Sequence, residues 1–254
     1  MMKIRFAANS NGSQGLRNLK VALQDRGHDV LLIKHNKSKY IPKDTDVIIN
    51  WGVPPFNPLP NSLNQNARNS SNKLTAFQLM SPRNKLRWTT DKEEAKTFKL
   101  CYCRTLLCSS QGRGIVVAKS PEEVVDAPLY TKGIIRVAGE YRVHVFKGEI
   151  IDIVQKKKLS SEQRELRGIS SSNINPYIRN HDNGYIFARE DISYPDSVKT
   201  VALNAIEDLQ LDFGAVDVVV SGYSGGAFVL EVNTAPGIEG TTVQRYSDAI
   251  EELV

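Results

Sequence analysis

Runs dominated by β-branched residues alternate along the chain with segments whose apolar residues recur every three or four positions, so the pattern predicts a mixed α and β protein. Lys3 to Ala8 reads as a first strand, and Leu16, Leu19 and Leu23 form one stripe of a helix that Gly27 closes. Strands at Asp29 to Ile33 and Asp46 to Trp51 complete a small β-α-β-β lobe. A ligand at the C-terminal ends of such strands meets Asn9, Asn11 and the loop after Trp51. Pro54, Pro55, Pro58 and Pro60 punctuate the exit and place a boundary near residues 55 to 70.

Short amphipathic helices follow at Ser71 to Leu79 and Asp91 to Thr97. Leu100 to Leu107 and Ile115 to Ala118 read as strands joined by Cys108-Ser109-Ser110-Gln111-Gly112-Arg113-Gly114. A glycine-bearing hairpin loop of this kind can present backbone N–H groups to phosphate oxygens. It is not a Walker loop, since no Gly-Lys-Ser/Thr follows and no helix begins there. Arg104, a cation inside an apolar strand just before the loop, requires an anionic partner.

Glu140 to Phe146 alternates cleanly, so Glu140, Arg142 and His144 line one face and Tyr141, Val143 and Val145 the other. Lys147-Gly148 turns the chain into Glu149 to Lys158, which brings Gln155 and either Lys156 or Lys157 beside the charged face. Of the two, Lys156 is assigned to the site. A structural ion pair accounts for Glu140 with Arg142 nearly as well as a ligand site does. Residues 159 to 185 are polar and include Arg179-Asn180-His181-Asp182, and so long an irregular stretch is usually functional or mobile. Pro195 to Leu209 reads as a helix with Val198, Val201, Ala202, Ala205 and Leu209 on its core face.

The densest chemistry lies in a hairpin. Gly214 to Val220 and Ala227 to Asn233 flank Gly222-Tyr223-Ser224-Gly225-Gly226. A loop centred on Ser224 pairs Ser221 with Ala227 and sets Asp217 directly opposite Glu231, with Asn233 on the same face. Like charges directly opposite are destabilising, so a cation between them is expected. Magnesium suits such oxygen ligands. The competing reading pairs Glu231 with an Arg or Lys and leaves Asp217 at a strand end. A final helix with Val243, Tyr246, Ile250 and Leu253 inward is expected to aim its free N–H groups at the metal site.

Composition narrows the setting. The 254 residues are 41% apolar and 24% charged, ordinary for a soluble protein, and no run of 18 apolar residues is present to cross a membrane. The start lacks the apolar segment of a signal peptide, so a cytoplasmic protein is expected. Cys101, Cys103 and Cys108 fit buried thiols in a reducing compartment better than a bridge or a zinc site. A net charge of +5 suits an anionic ligand. Lys156-Lys157-Lys158 lacks the interleaved aromatics of a single-strand binder, so nucleic acid is not the expected partner. His28 and His35 read as surface or packing residues.

The order of parts (small α/β lobe, glycine hairpin, Glu-x-Arg strand, then Asp217, Glu231-x-Asn233 and Pro236-Gly237) resembles the ATP-grasp superfamily. The likeness is greatest to ligases of the ribosomal protein glutamate ligase type, and Leu230 to Thr241 also resembles D-alanine:D-alanine ligases. It covers about residues 70 to 254, and in size the chain is similar to compact members that bacteriophages encode. The resemblance implies an α/β and α+β protein: an N-terminal lobe at 1–65, a central lobe with the glycine loop at 66–132, and a C-terminal lobe with the metal site at 133–254. The last two would clamp ATP.

It further implies that Asp217, Glu231 and Asn233 hold magnesium or manganese, with Asn233 also serving catalysis. Ser109, Ser110, Gln111, Gly112 and Gly114 would form a lid over the phosphates, and Tyr130-Thr131-Lys132-Gly133 a hinge whose backbone reads adenine. Glu140 falls at a ribose-contacting position, Arg142 at a catalytic arginine, and Lys156, Arg179 and Asn180 at nucleotide contacts. Arg104 stands where relatives carry lysine, and the hinge has Thr131 and Lys132 where an acidic residue is usual. The implied reaction joins a small-molecule or peptide carboxylate to an amine through an acyl phosphate, Arg142 and the N–H groups after Pro236 stabilising the oxyanion. A kinase of the same fold and a non-catalytic, nucleotide-responsive binding module are the alternatives. The substrates and the oligomeric state are not fixed by the sequence.

Overall fold

The computed structural model of the chain describes residues 1–8, 12–34, 39–52, 62–109, 112–169, 177–180 and 183–253. Asn9, Asn11, His35, Pro54, Pro55, Pro58, Pro60, Ser110, Gln111, His181 and Asp182 lie outside the described residues.

Strand β1 (Lys3–Ala8), helix α1 (Gln14–Asp25) and strands β2 (Asp29–Lys34), β3 (Asp46–Trp51) and β4 (Ser62–Leu63) form a parallel sheet in the order β2-β1-β3-β4. Ser13 opens α1 by accepting a hydrogen bond from the Leu16 N–H. The predicted stripe of Leu16, Leu19 and Leu23 is fully buried against the sheet.

Helices α2 (Arg68–Ser71) and α3 (Lys73–Leu79) replace the single helix expected over Ser71 to Leu79. Asn72 is extended between them, and its side chain caps α3 by accepting from the N–H groups of Leu74 and Thr75. Strand β5 (Trp88–Thr89), helix α4 (Lys92–Ala95), strands β6 (Cys101–Arg104) and β7 (Ile115–Ala118), a 3-10 turn (Pro121–Glu123) and strand β8 (Leu129–Lys132) follow. Their antiparallel sheet has the order β5-β8-β6-β7. Strand β6 stops at Arg104, three residues short of the predicted Leu107. Cys101 and Cys103 are therefore buried while Cys108, beyond the strand, is exposed, which corrects the reading of all three as buried. Burial, with Cys103 alongside, pushes the Cys101 thiol up to about 12.

The third sheet carries strands β9 (Val137–Phe146), β10 (Glu149–Lys158), β11 (Tyr185–Ala188), β12 (Phe213–Ser221) and β13 (Ala227–Asn233), in the order β11-β10-β9-β12-β13 and antiparallel throughout. Helices α5 (Ser161–Leu166), α6 (Ser197–Asp208) and α7 (Thr241–Glu251) complete the chain. Lys147 and Gly148, with φ of 50° and 81°, make the two-residue turn from β9 to β10 that the alternation predicts. Apolar residues of α6 cover one face of the sheet, packing on Val143, Val145, Val216 and Val218. The opposite face bears the charged row and ends in Phe146, Phe213 and Tyr246. Trp51 stacks on Phe213 at 5.4 Å and meets Tyr246 edge-on at 5.6 Å, so this aromatic group belongs to the first sheet as much as the third.

Two glycines permit that docking. A Cβ on Gly15 would lie 2.3 Å from the Ile238 carbonyl oxygen, and one on Gly52 would lie 2.4 Å from the Ala235 Cβ. Arg26 adds ion pairs of 2.7 Å to both Asp248 and Glu251, and His28 Nε2 lies 2.7 Å from Glu251, so His28 is a packing contact between lobes. Because the three sheets succeed one another along the chain, we propose lobes at 1–65, 66–132 and 133–254. Among the described residues no helix is long and apolar enough to cross a membrane.

Candidate active site

Strands β12 and β13 pair Val220 with Ala227, one residue off the expected Ser221 pairing. Continued without interruption, that register would set Leu230 opposite Asp217 and turn Glu231 to the core face. A bulge at Leu230 restores the alignment, so Asp217 lies opposite Glu231 and Ala215 opposite Asn233. Val229 and Val232 remain in the core while Glu231 and Asn233 share the charged face.

On that face Asp217 also pairs across β9 with Arg142. Arg142 Nε donates to Asp217 Oδ1 at 2.7 Å and Nη2 donates to Oδ2 at 3.0 Å, a bidentate fork. Lys156 Nζ donates to Glu140 and, at 3.2 Å, to Asp217 Oδ2. Lys157 faces away and donates to the Asp191 carbonyl, which settles the choice between the lysines. Burial works against the Asp217 carboxylate, but Arg142 and Lys156 outweigh it and hold the group well below the usual carboxylate range. Burial likewise opposes the charges of Arg142 and Lys156, and the carboxylates together, Asp217 first and Glu140 with it, more than offset it for both. The ion-pair reading is thus realised most tightly at Asp217, while Glu231 has a looser pair, with Lys73 Nζ at 4.0 Å. Arg179 Nη1 stands 3.8 Å from Glu140 and joins the group, whereas the Asn180 side-chain oxygen is engaged by Asn183.

Facing this network across the gap between sheets is Arg104, 6% exposed. Its Nε is buried with no hydrogen-bond partner among the described residues, and it lies over the Phe77 ring at 5.8 Å. Burial lowers its pKa, with Glu231 the nearest compensating charge. Lys73, absent from the sequence reading, belongs here too. Its Nζ donates to the Ser109 carbonyl and stands 4.0 Å from Glu231, and burial lowers its pKa. The signal was periodic: Lys73, Ala76, Phe77 and Met80 fall at i, i+3, i+4 and i+7, so the buried stripe of α3 begins with a lysine. Lys73, Arg104, Arg142, Lys156 and Arg179 thus face Glu140, Asp217 and Glu231, an excess of two positive charges among the described residues.

The glycine-bearing loop expected as a lid is anchored at its described residues. Ser109 Oγ donates to the Arg113 carbonyl at 2.7 Å, and Gly112 and Gly114 take φ of 77° and 73°. In the hinge, Lys132 N–H donates to the Arg87 carbonyl at 2.8 Å and Gly133 N–H to that of Leu100 at 2.7 Å. These two donors are engaged within the protein, a departure from the expected backbone hinge. Tyr130 points into a separate core, its hydroxyl donating to the Val125 carbonyl at 3.1 Å. Thr131 Oγ1 is buried without a hydrogen-bond partner among the described residues. The first turn of α7 also departs from expectation, because the N–H groups of Thr242 and Val243 donate to the carbonyls of Glu239 and Gly240, both at 3.2 Å.

The donor set fits a hard divalent cation. Among the described residues no group of three or more His, Cys, Asp and Glu side chains is placed to hold a metal. Magnesium, however, is usually held by one or two carboxylates and completes its shell with water and substrate phosphates. Glu231, 28% exposed, and Asn233 carry such oxygens, and Asn233 Nδ2 donates to Glu231 Oε1 at 3.0 Å, which leaves the amide oxygen out of that bond. Asp217 would join only by releasing part of its hold on Arg142 and Lys156.

His144, next along the row, is 2% exposed, with Nδ1 3.2 Å from the Tyr246 hydroxyl. Burial, followed by the nearby Arg142, lowers its pKa from 6.5 to about 4. Between pH 6.5 and about 4 the unfolded chain protonates this histidine and the folded protein does not, so stability falls as pH falls through that window. The loss is about 3 kcal/mol. Denaturant titrations in magnesium-free buffer should show it, and His144→Leu should flatten the slope; an unchanged slope would refute the neutral buried imidazole.

No protein-family profile matches the chain. A probable alpha-L-glutamate ligase of Parasynechococcus marenigrum (strain WH8102) is 29% identical over 146 residues, 53% of this chain. The chain spans only about a quarter of that relative's length, 28%. The ATP-grasp ligase PsnB, solved with a minimal precursor, superposes over 100% of this chain and 99% of its own, with a TM-score of 0.66 at 14% identity. PsnB has also been solved with magnesium and ADP. D-alanine–D-alanine ligase from Bacillus anthracis covers 100% of this chain and 93% of its own, with a TM-score of 0.59 at 14% identity. At these identities the likeness concerns the fold alone: the chain has the ATP-grasp fold.

Proposed function

We propose that the chain is an ATP-dependent ligase that joins a carboxylate to an amine through an acyl phosphate. The observation that carries this reading is Arg104, a buried guanidinium whose Nε has no hydrogen-bond partner among the described residues, set with four other cations and three carboxylates. That surplus suits a polyphosphate. The glutamate ligase relative supports a carboxylate and an amine as the substrate classes. A reducing, cytoplasmic setting is part of the proposal, in keeping with the three unpaired cysteines.

In this mechanism Arg104 and Lys73 hold the β- and γ-phosphates beneath the lid, where Ser109, Gly112 and Gly114 exclude water. Glu140, Lys156 and Arg179 fix the nucleoside side. Glu231 and Asn233, with Asp217, would hold magnesium, which when bound neutralises charge spreading over the phosphoryl group. A substrate carboxylate oxygen attacks the γ-phosphorus as the bond to ADP breaks. The amine nitrogen then attacks the acyl carbon, a proton leaves it, and phosphate departs. Arg142, kept charged by Asp217, stabilises the oxyanion of that second step. No side-chain nucleophile is needed, since holding the reactants together supplies much of the rate.

Hydroxylamine separates this reading from a kinase. With ATP, magnesium and a pool of amino acids and peptides, the ligase should release ADP and convert one carboxylate to its hydroxamate. A phosphorylated hydroxyl product with no hydroxamate would establish the kinase instead.

A further inference from the structure

Strand β10 is an edge of its sheet along half its length. Only Gln155 to Lys158 pair with β11, so on its outer side Glu149 to Val154 meets no strand. No backbone hydrogen bond from elsewhere in the described residues reaches that stretch either. A row of unpaired N–H and C=O groups is a template for another extended chain. A cavity of about 580 Å³ runs along it from Gly148 to Ile153, within the range of about 300–1,000 Å³ typical of ligand clefts.

Charged side chains of both signs line it, three basic and two acidic. Arg189, Lys199 and Arg245 border the cavity, against the carboxylates of Glu149 and Asp152. Asp152 already accepts the Thr242 hydroxyl at 2.5 Å and stands 4.0 Å and 3.8 Å from the Nε atoms of Arg189 and Arg245, beyond hydrogen-bond distance. Arg189 Nη2 donates to the Glu239 carbonyl and the Thr242 hydroxyl, while its Nε is buried with no hydrogen-bond partner among the described residues. Ile192 and Leu203 add apolar surface to the lining.

We propose that this groove docks an extended acidic peptide, whose backbone pairs with Glu149 to Val154 while its carboxylates meet Arg189, Lys199 and Arg245. Strand addition of this kind takes its affinity from main-chain hydrogen bonds and its specificity from alternate side chains. The bulge between Ile150 and Asp152 bends the edge. A flexible peptide follows such a bend, whereas the straight edge of a second copy does not. The docking does not depend on the ligase reading, because none of these residues belongs to the nucleotide cleft.

The test uses the full chain and two fluorescein-labelled octapeptides, one rich in glutamate and one rich in lysine. Saturable binding of the acidic peptide alone is expected, with slower amide exchange over Glu149 to Val154. The double variant Lys199→Glu, Arg245→Glu alters two exposed side chains (45% and 58%). It should bind at least about tenfold more weakly, weakening with salt as screened charges do, while its thermal shift with magnesium and ADP is unchanged. Competition by free glutamate as strong as by the peptide would overturn the proposal in favour of a small-anion pocket. Unchanged exchange over Glu149 to Val154, or equal binding by the variant, would overturn it outright.

Discussion

Glu231→Ala should lower ATP turnover by about 100- to 1,000-fold, the loss typical when one preorganised electrostatic group is removed from a transition state. The fold should survive. Glu231 is partly exposed, makes no hydrogen-bonded ion pair, and lies beyond the bidentate pair that holds the centre of the face. Its removal leaves Asn233 without an acceptor and Lys73 and Arg104 with one fewer compensating charge, so nucleotide and metal binding weaken together. Steady-state ADP release, set beside an unchanged far-ultraviolet circular dichroism spectrum, checks this. Full turnover in the variant would remove Glu231 from the site.

Arg142→Ala should affect both activity and stability. It leaves the buried Asp217 with Lys156 alone, and breaking a buried pair on one side costs about 3–5 kcal/mol. For a protein of this size each kcal/mol is about 2–4 °C in Tm. The acid limb should move as well. In the wild type the Asp217 carboxyl is depressed, so its stabilisation is present above the ordinary carboxylate range and disappears only as pH falls toward the depressed value. Without Arg142 that loss begins at higher pH. Arg142→Lys separates the two roles: it should recover most of the stability, since a cation again faces Asp217, but not amide formation, which uses the planar fork. Recovery of both by lysine would make Arg142 a structural partner only.

The charged face was legible because alternation in β9 is strict, and side-chain parity then dictates which residues are neighbours. The Asp217 and Glu231 pair was anticipated although the hairpin register was one residue off, because the bulge at Leu230 compensates the shift. No residue type at that position announces a bulge. Arg142 against Asp217 was not legible, since it depends on β9 lying between β10 and β12, a strand order that local pattern does not contain. Lys73 was legible in principle, as the first member of an apolar stripe. The division of one expected helix into α2 and α3 turns on Asn72, whose capping preference was overlooked. The hinge departs because the β8 backbone finds partners on both sides, in β5 and β6, which propensity along one segment cannot reveal.

The most direct test of the nucleotide site is thermal unfolding with and without magnesium and ADP, wild type beside Glu231→Ala. At about 100 times its dissociation constant a site-specific ligand adds about 2.7 kcal/mol. A magnesium-dependent rise in Tm of several degrees in the wild type, absent from the variant, is the predicted result. No rise in the wild type, or an equal rise in both proteins, would contradict the assignment of the cleft between Arg104 and Glu231 to a magnesium nucleotide.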